Sequence, residues 1–124
     1  MDTATEQEII RHFFRKDRQE RLYWELSGKK RAEFYWHLAG TRELKPECLH
    51  DISGDQQPLK QIFRQTGAGS TVYFIGSSHI GALPLDDAIT RAGQREMCLI
   101  YFGNGKGFWQ GEQNPAQPRY LLYS

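Results

Sequence analysis

The stretch from Thr71 to Gln110, TVYFIGSSHIGALPLDDAITRAGQREMCLIYFGNGKGFWQ, decides the fold. Thr71 to Ile75 is β-branched and aromatic and lies between Gly69 and Gly76, the composition and punctuation of a strand. Pro84 to Ala92 puts Leu85, Ala88 and Ile89 on one helical face, and Gly93 closes it. Met97 to Phe102 is an unbroken apolar run of strand length, as in a central strand covered on both faces. Strand, helix and strand in that order form a βαβ pattern. Asn104-Gly105 then lies between two strand-like runs, the strongest local signal for a tight hairpin. Pro115 and Pro118 mark a loop before Tyr120 to Tyr123, read as a last strand at an edge of the sheet.

Working back from this region, Pro58 opens a short helix whose Leu59, Ile62 and Phe63 form an apolar stripe, with Gly67 as its stop. Residues 41–57 show no periodicity and are punctuated by Pro46 and Gly54, which predicts a connector with a brief extended piece near Cys48 to Ile52. The first forty residues read as successive short helices. Thr5 with Glu8, and Asp17 with Glu20, have capping-box spacing, and Ser27 can cap a third helix. A single helix from 5 to 26 would put Asp17 and Arg21 among Ile10, Phe14 and Trp24, so a break near Asp17 is expected. The third segment, from Lys29 to Leu38 or Ala39, places Ala32, Tyr35, Trp36 and Ala39 on one face, with Phe34 and Leu38 beside it.

The expected fold is thus α+β, with N-terminal short helices packed on a C-terminal βαββ(β) mixed sheet. A length of 124 residues suits one core, so one domain spanning 1–124 is expected, mainly helical over 1–67 and sheet-forming over 70–124. Hydrophobic residues at 39% and sixteen aromatic residues supply the material for that core. Asp2, Glu6 and Glu8 ahead of the first apolar pair do not fit a secretory signal, and no apolar run has membrane-spanning length. A cytoplasmic location without membrane contact follows as an expectation.

A formal net charge of +1 gives no global field of the kind a dedicated polyanion binder carries, so any electrostatic function must be local. The local excess lies between Arg11 and Arg31, where eight basic residues face three acidic ones. Arg11, Arg15, Arg18, Lys29 and Lys30, with Trp24, form a candidate nucleic-acid or partner-binding set, because cations neutralise phosphates while aromatic rings stack on bases. The competing reading makes these charges the solvated faces of amphipathic helices, with Phe13, Phe14, Tyr23, Trp24 and Trp36 packed inward. Trp109 joins Trp24 as a candidate contact, since Trp, Tyr and Arg dominate binding hot spots.

The run GSSHIG, Gly76 to Gly81, falls at the end of a strand, where an open parallel sheet places its ligand, so Ser77, Ser78 and His79 are candidate ligand contacts. It lacks the Lys-Ser/Thr of a phosphate loop, having Ala82-Leu83 instead, and Asp86 and Asp87 follow in the next helical turn. GNGKG, Gly103 to Gly107, leads into FWQ, a strand, and offers an anion no helix N-terminus.

Cys48, His50 and Asp51 are too few for a zinc site, so no metal and no cofactor are expected. Cys98 reads as a buried hydrophobe and Cys48 as the more exposed thiol, close enough to His50 for activation to be weighed. No nucleophile and base stand in a recognisable pattern. The leading expectation is a non-catalytic intracellular protein-binding domain, an adaptor or an inhibitor or immunity-type protein. Nucleic-acid binding through Arg11–Arg31, and a small-ligand or enzymatic role for the Gly76–Gly81 loop, are the alternatives.

Overall fold

The computed structural model describes residues 3–112 and 117–124. The first helix, α1 (Thr3–Phe13), turns Glu6, Ile9, Ile10 and Phe13 inward, a stripe at spacings of three and four residues. It ends where the chain leaves the helix to bridge Phe14 to Leu44. The Arg15 amide donates to the Glu43 carbonyl at 2.8 Å and the Lys45 amide to that of Phe13 at 2.8 Å. These bonds satisfy backbone groups that a continuous helix would have used, so the break expected near Asp17 is present. A 3-10 turn over Lys16–Arg18 leads into α2 (Gln19–Ser27).

The capping chemistry differs from the expectation. Thr5 sits inside the first turn of α1, Arg18 occupies the cap position of α2 without a side-chain cap bond, and Ser27 ends α2 with its hydroxyl donating to the Trp24 carbonyl at 3.0 Å. The segment Arg31–Leu38 is a 3-10 helix, and its buried residues are Phe34 and Leu38. A repeat of three residues per turn aligns Arg31, Phe34 and His37 along one ridge. Of the face formed by Ala32, Tyr35, Trp36 and Ala39 at α-helical spacing, Ala32, Trp36 and Ala39 are exposed and only Tyr35 packs, half-buried, against the first core.

A 3-10 turn at Pro46–Cys48 precedes β1 (Leu49–Asp51), the brief extended piece predicted there. In α3 (Leu59–Thr66), Ile62, Phe63 and Thr66 are buried. Gly67 stops it at φ 108°, a left-handed conformation that glycine adopts without steric cost. The remaining elements are β2 (Thr71–Gly76), β3 (Ile80–Pro84), α4 (Leu85–Gly93), β4 (Cys98–Gly103), β5 (Lys106–Gln110) and β6 (Arg119–Tyr123).

The six strands form one sheet in the order β1-β6-β5-β4-β2-β3, and every neighbouring pair is antiparallel. The fold is α+β as expected, but the sheet is antiparallel where a mixed one was anticipated. The difference traces to β3. Ile80–Pro84 returns along β2 as a hairpin before α4 begins, so the chain enters β4 running opposite to β2. The final strand also departs from expectation, lying between β5 and β1 and leaving β1 at the edge. Pro115 lies outside the described residues.

Asn104 and Gly105, at φ 55° and 72°, make the β4–β5 turn with the two left-handed residues that a tight hairpin requires. Strand alternation sends Tyr73, Ile75, Leu99, Tyr101, Trp109 and Leu122 into one core, which also takes Ile9, Phe13, Leu22 and Phe34 from the N-terminal helical segments. Val72, Phe74, Cys98, Ile100, Phe108 and Leu121 enter a second core with Ile62, Phe63, Leu85 and Ala88 from α3 and α4. The sheet is covered on both faces, with the N-terminal helical layer on one side and α3 with α4 on the other. Among the described residues no helix is long and apolar enough to cross a membrane.

Candidate functional site

The N-terminal helical layer keeps two tryptophans in solvent. Leu22, Glu25 and Leu26 face inward from α2, which turns Trp24 outward at 66% exposure. Trp36 is 58% exposed on the outer face of the 3-10 segment, its ring centroid 4.6 Å from that of Tyr35. Arg21, one helical turn before Trp24, has an exposed side chain loosely paired with Glu25 at 3.8 Å. A hollow of about 280 Å³ beside Trp24 is lined by Gln7, Ile10, Tyr23 and Leu26. Trp109 is only 1% exposed and donates its indole N–H to the Leu38 carbonyl at 3.1 Å. It is a core residue and not a surface contact, because alternation along β5 points it into the helical layer.

Two buried acidic residues hold that layer together. Glu6 receives both terminal nitrogens of Arg31, and the Tyr73 hydroxyl donates to it at 2.5 Å, tying α1, the 3-10 segment and β2 to one carboxylate. Arg31 also donates to the Leu26 carbonyl at 2.9 Å, and its pKa is raised chiefly by the hydrogen bond to Glu6. Burial, followed by the same carboxylate, pushes Tyr73 up to about 12. Glu25 lies 2.5 Å from His37 Nε2, and Glu43 lies 2.6 Å from Nδ1, so the imidazole bridges α2 to the segment after residue 40.

These contacts separate the basic run into two groups. Arg31 is committed to Glu6, while Arg11, Arg15, Arg18, Lys29 and Lys30 remain exposed, Arg15 with Asp17 at 3.5 Å. Phe13 and Phe14 are fully buried and offer no platform for base stacking.

The Gly76–Gly81 run is the turn of the β2–β3 hairpin and not the entrance to a helix. Ser78 is already engaged. Its amide donates to Glu96 Oε2 at 2.9 Å, its hydroxyl lies 2.6 Å from Glu96 Oε1, and Arg91 Nη1 lies 2.5 Å from that hydroxyl. Ser77 is exposed, with its hydroxyl 3.5 Å from Glu96 Oε2. His79 is half-buried, with Nε2 shut from solvent and without a hydrogen-bond partner. The turn lies beside the start of the 3-10 segment, so Lys29, Arg31, Ser77 and His79 line one hollow of about 370 Å³. Candidate residues some fifty positions apart in sequence thus share a wall, which no local pattern announced.

Neither thiol is placed for catalysis. Cys48 is buried, donates weakly to the His12 carbonyl at 3.5 Å, and has its pKa raised by burial, contrary to its reading as the exposed thiol. Burial raises that of Cys98 further. His50 faces away, packed edge-on against the ring of Tyr123 at 4.8 Å. Sequence reasoning missed a contact between Ser124 and His12, 112 residues apart, with Ser124 Oγ 2.7 Å from His12 Nδ1. Glu8 stands 3.8 Å from the other ring nitrogen, outside hydrogen-bond reach, so it does not orient the ring as a catalytic relay requires. Among the described residues no group of three or more His, Cys, Asp or Glu side chains is placed to hold a metal ion.

In comparisons with known proteins, the chain matches no family model, and neither a curated protein nor a solved structure matches it significantly.

Proposed function

We propose that this chain is a non-catalytic protein-binding domain working in the cytoplasm, an adaptor or an inhibitor of a partner, and that its N-terminal helical layer is the binding face. One observation carries the reading: among the described residues, the large hydrophobic side chains left exposed are Trp24 and Trp36, both in that layer. Tryptophan supplies large rigid contact area at little rotamer cost, and burying each ring against a partner contributes about 2 kcal/mol. Arg21 beside Trp24 adds a second residue type enriched at hot spots.

Nucleic-acid binding through the same region has less support. Two of its aromatic residues, Phe13 and Phe14, are in the core, and Arg31 is neutralised by Glu6.

Capture of the tagged full chain from nuclease-treated lysate of its own organism, followed by mass spectrometry, tests the proposal. A protein recovered in near-equal amount is expected, and Trp24→Ala with Trp36→Ala should reduce its recovery at least about tenfold, since hot-spot truncations cost about 2 kcal/mol or more. Undiminished capture by the double variant would reject the face. Protein recovered only when nuclease is omitted would replace the proposal with a nucleic-acid role.

A further inference from the structure

The hollow between the β2–β3 turn and the start of the 3-10 segment has a chemistry separate from that of the tryptophans. Its volume of about 370 Å³ stands at the small end of ligand sites, which span about 300–1,000 Å³. Lys29 brings positive charge to one wall beside Arg31, whose own charge is offset by Glu6, and Ser77 and His79 bring hydrogen-bonding groups to the other.

The state of each group narrows the ligand. Arg31 gives its guanidinium fork to Glu6, so no bidentate fork is left to receive a planar carboxylate. Lys29 is exposed and enters no ion pair with a described residue, leaving a compact point charge of the kind that binds phosphate. The Ser77 hydroxyl is only weakly held, at 3.5 Å from Glu96. His79 Nε2 is shut from solvent, which leaves Nδ1 as the ring nitrogen that can serve a ligand. The Glu96 carboxylate is engaged by the Ser78 amide and hydroxyl and also lines the neighbouring hollow with Asp87, Thr90 and Arg91.

We propose that this hollow binds a small phosphomonoester, with Lys29 supplying the charge and Ser77 and His79 Nδ1 the directed hydrogen bonds. A point charge with two separated donors suits a tetrahedral group better than a flat one. The size of the hollow suits a small phosphorylated metabolite.

The test is titration of the isotopically labelled full chain, followed by amide chemical shifts at constant low ionic strength, with inorganic phosphate, glycerol phosphate and acetate as probes. Saturable shifts at Lys29, Ala32 and Ser77 to Ile80 are expected with both phosphate probes, tighter for glycerol phosphate, with acetate at least about tenfold weaker. Lys29→Glu should weaken phosphate binding at least about tenfold, while Trp24→Ala should leave it unchanged. Equal binding of acetate, unsaturable shifts spread over Arg15, Arg18 and the other exposed cations, or undiminished binding by Lys29→Glu would each overturn the proposal. Because Trp24→Ala spares this site, its failure and that of the protein-binding role are separable.

Discussion

Replacing Arg31 with alanine should destabilise the fold more than replacing its partner Glu6 with glutamine. Glu6 is buried against the first core and held by Arg31 and Tyr73. Arg31→Ala leaves an ionised carboxylate in that site with the Tyr73 hydroxyl as its remaining donor. Uncompensated buried charges of this kind cost about 3 to 5 kcal/mol. The lower end applies here, because Arg31 is 18% exposed and water can enter the space it vacates. Glu6→Gln keeps the shape and an acceptor for Tyr73. The arginine it frees sits nearer solvent and still donates to the Leu26 carbonyl, so the cost is about 1 to 2 kcal/mol. The double variant buries no charge at all and should be more stable than Arg31→Ala alone by about 1 kcal/mol. In urea, where the denaturant slope for a chain of this size is about 2 kcal/mol per molar, the Arg31→Ala midpoint should fall by about 1.5 M. A double variant as destabilised as the sum of the two single changes, or an Arg31→Ala loss below about 0.5 kcal/mol, would show that Arg31 does not compensate a buried charge on Glu6.

Tyr73 makes stability pH-dependent at the alkaline end. Its folded pKa is raised to about 12 from 10, so its contribution is complete below pH 10 and is lost as pH rises from 10 towards about 12. Urea midpoints measured across that interval should decline, and Tyr73→Phe should flatten the decline; an unchanged slope in that variant would contradict the assignment. Gly107→Ala places a methyl 2.7 Å from the Ile100 carbonyl oxygen and 3.4 Å from the Phe13 ring, and should cost about 1 to 3 kcal/mol in thermal or urea unfolding. A loss under about 0.5 kcal/mol would show that β4 and β5 separate more readily than their packing implies.

Much of the architecture could be read from residue order because the signals were local. β2, α3, α4 and β4 each carry their own periodicity and punctuation, and the Asn104-Gly105 turn needs only two residues to be recognised. β3 was hidden because Ile80-Gly81-Ala82-Leu83-Pro84 contains three residue types depleted in strands and holds its place by pairing with β2. That one omission reversed the expected direction of β4 relative to β2 and turned an antiparallel sheet into a mixed one. The site was less legible. Of the two candidate tryptophans Trp24 is exposed and Trp109 is in the core, while Trp36, read as packed inward, is exposed, because facing depends on which stripe of an element meets the core. Arg31 counted towards a basic surface although its counter-charge, Glu6, is twenty-five residues away. The hollow shared by Lys29 and the Ser77–His79 turn joins segments with no common sequence pattern.

The binding face is tested most directly by hydrogen exchange of the chain alone and in complex with its captured partner. Added protection should concentrate in α2 and the Arg31–Leu38 segment around Trp24 and Trp36, leaving α3 and α4 unchanged. Protection concentrated on α3 and α4, on the opposite face of the sheet, would contradict the N-terminal helical layer as the binding face.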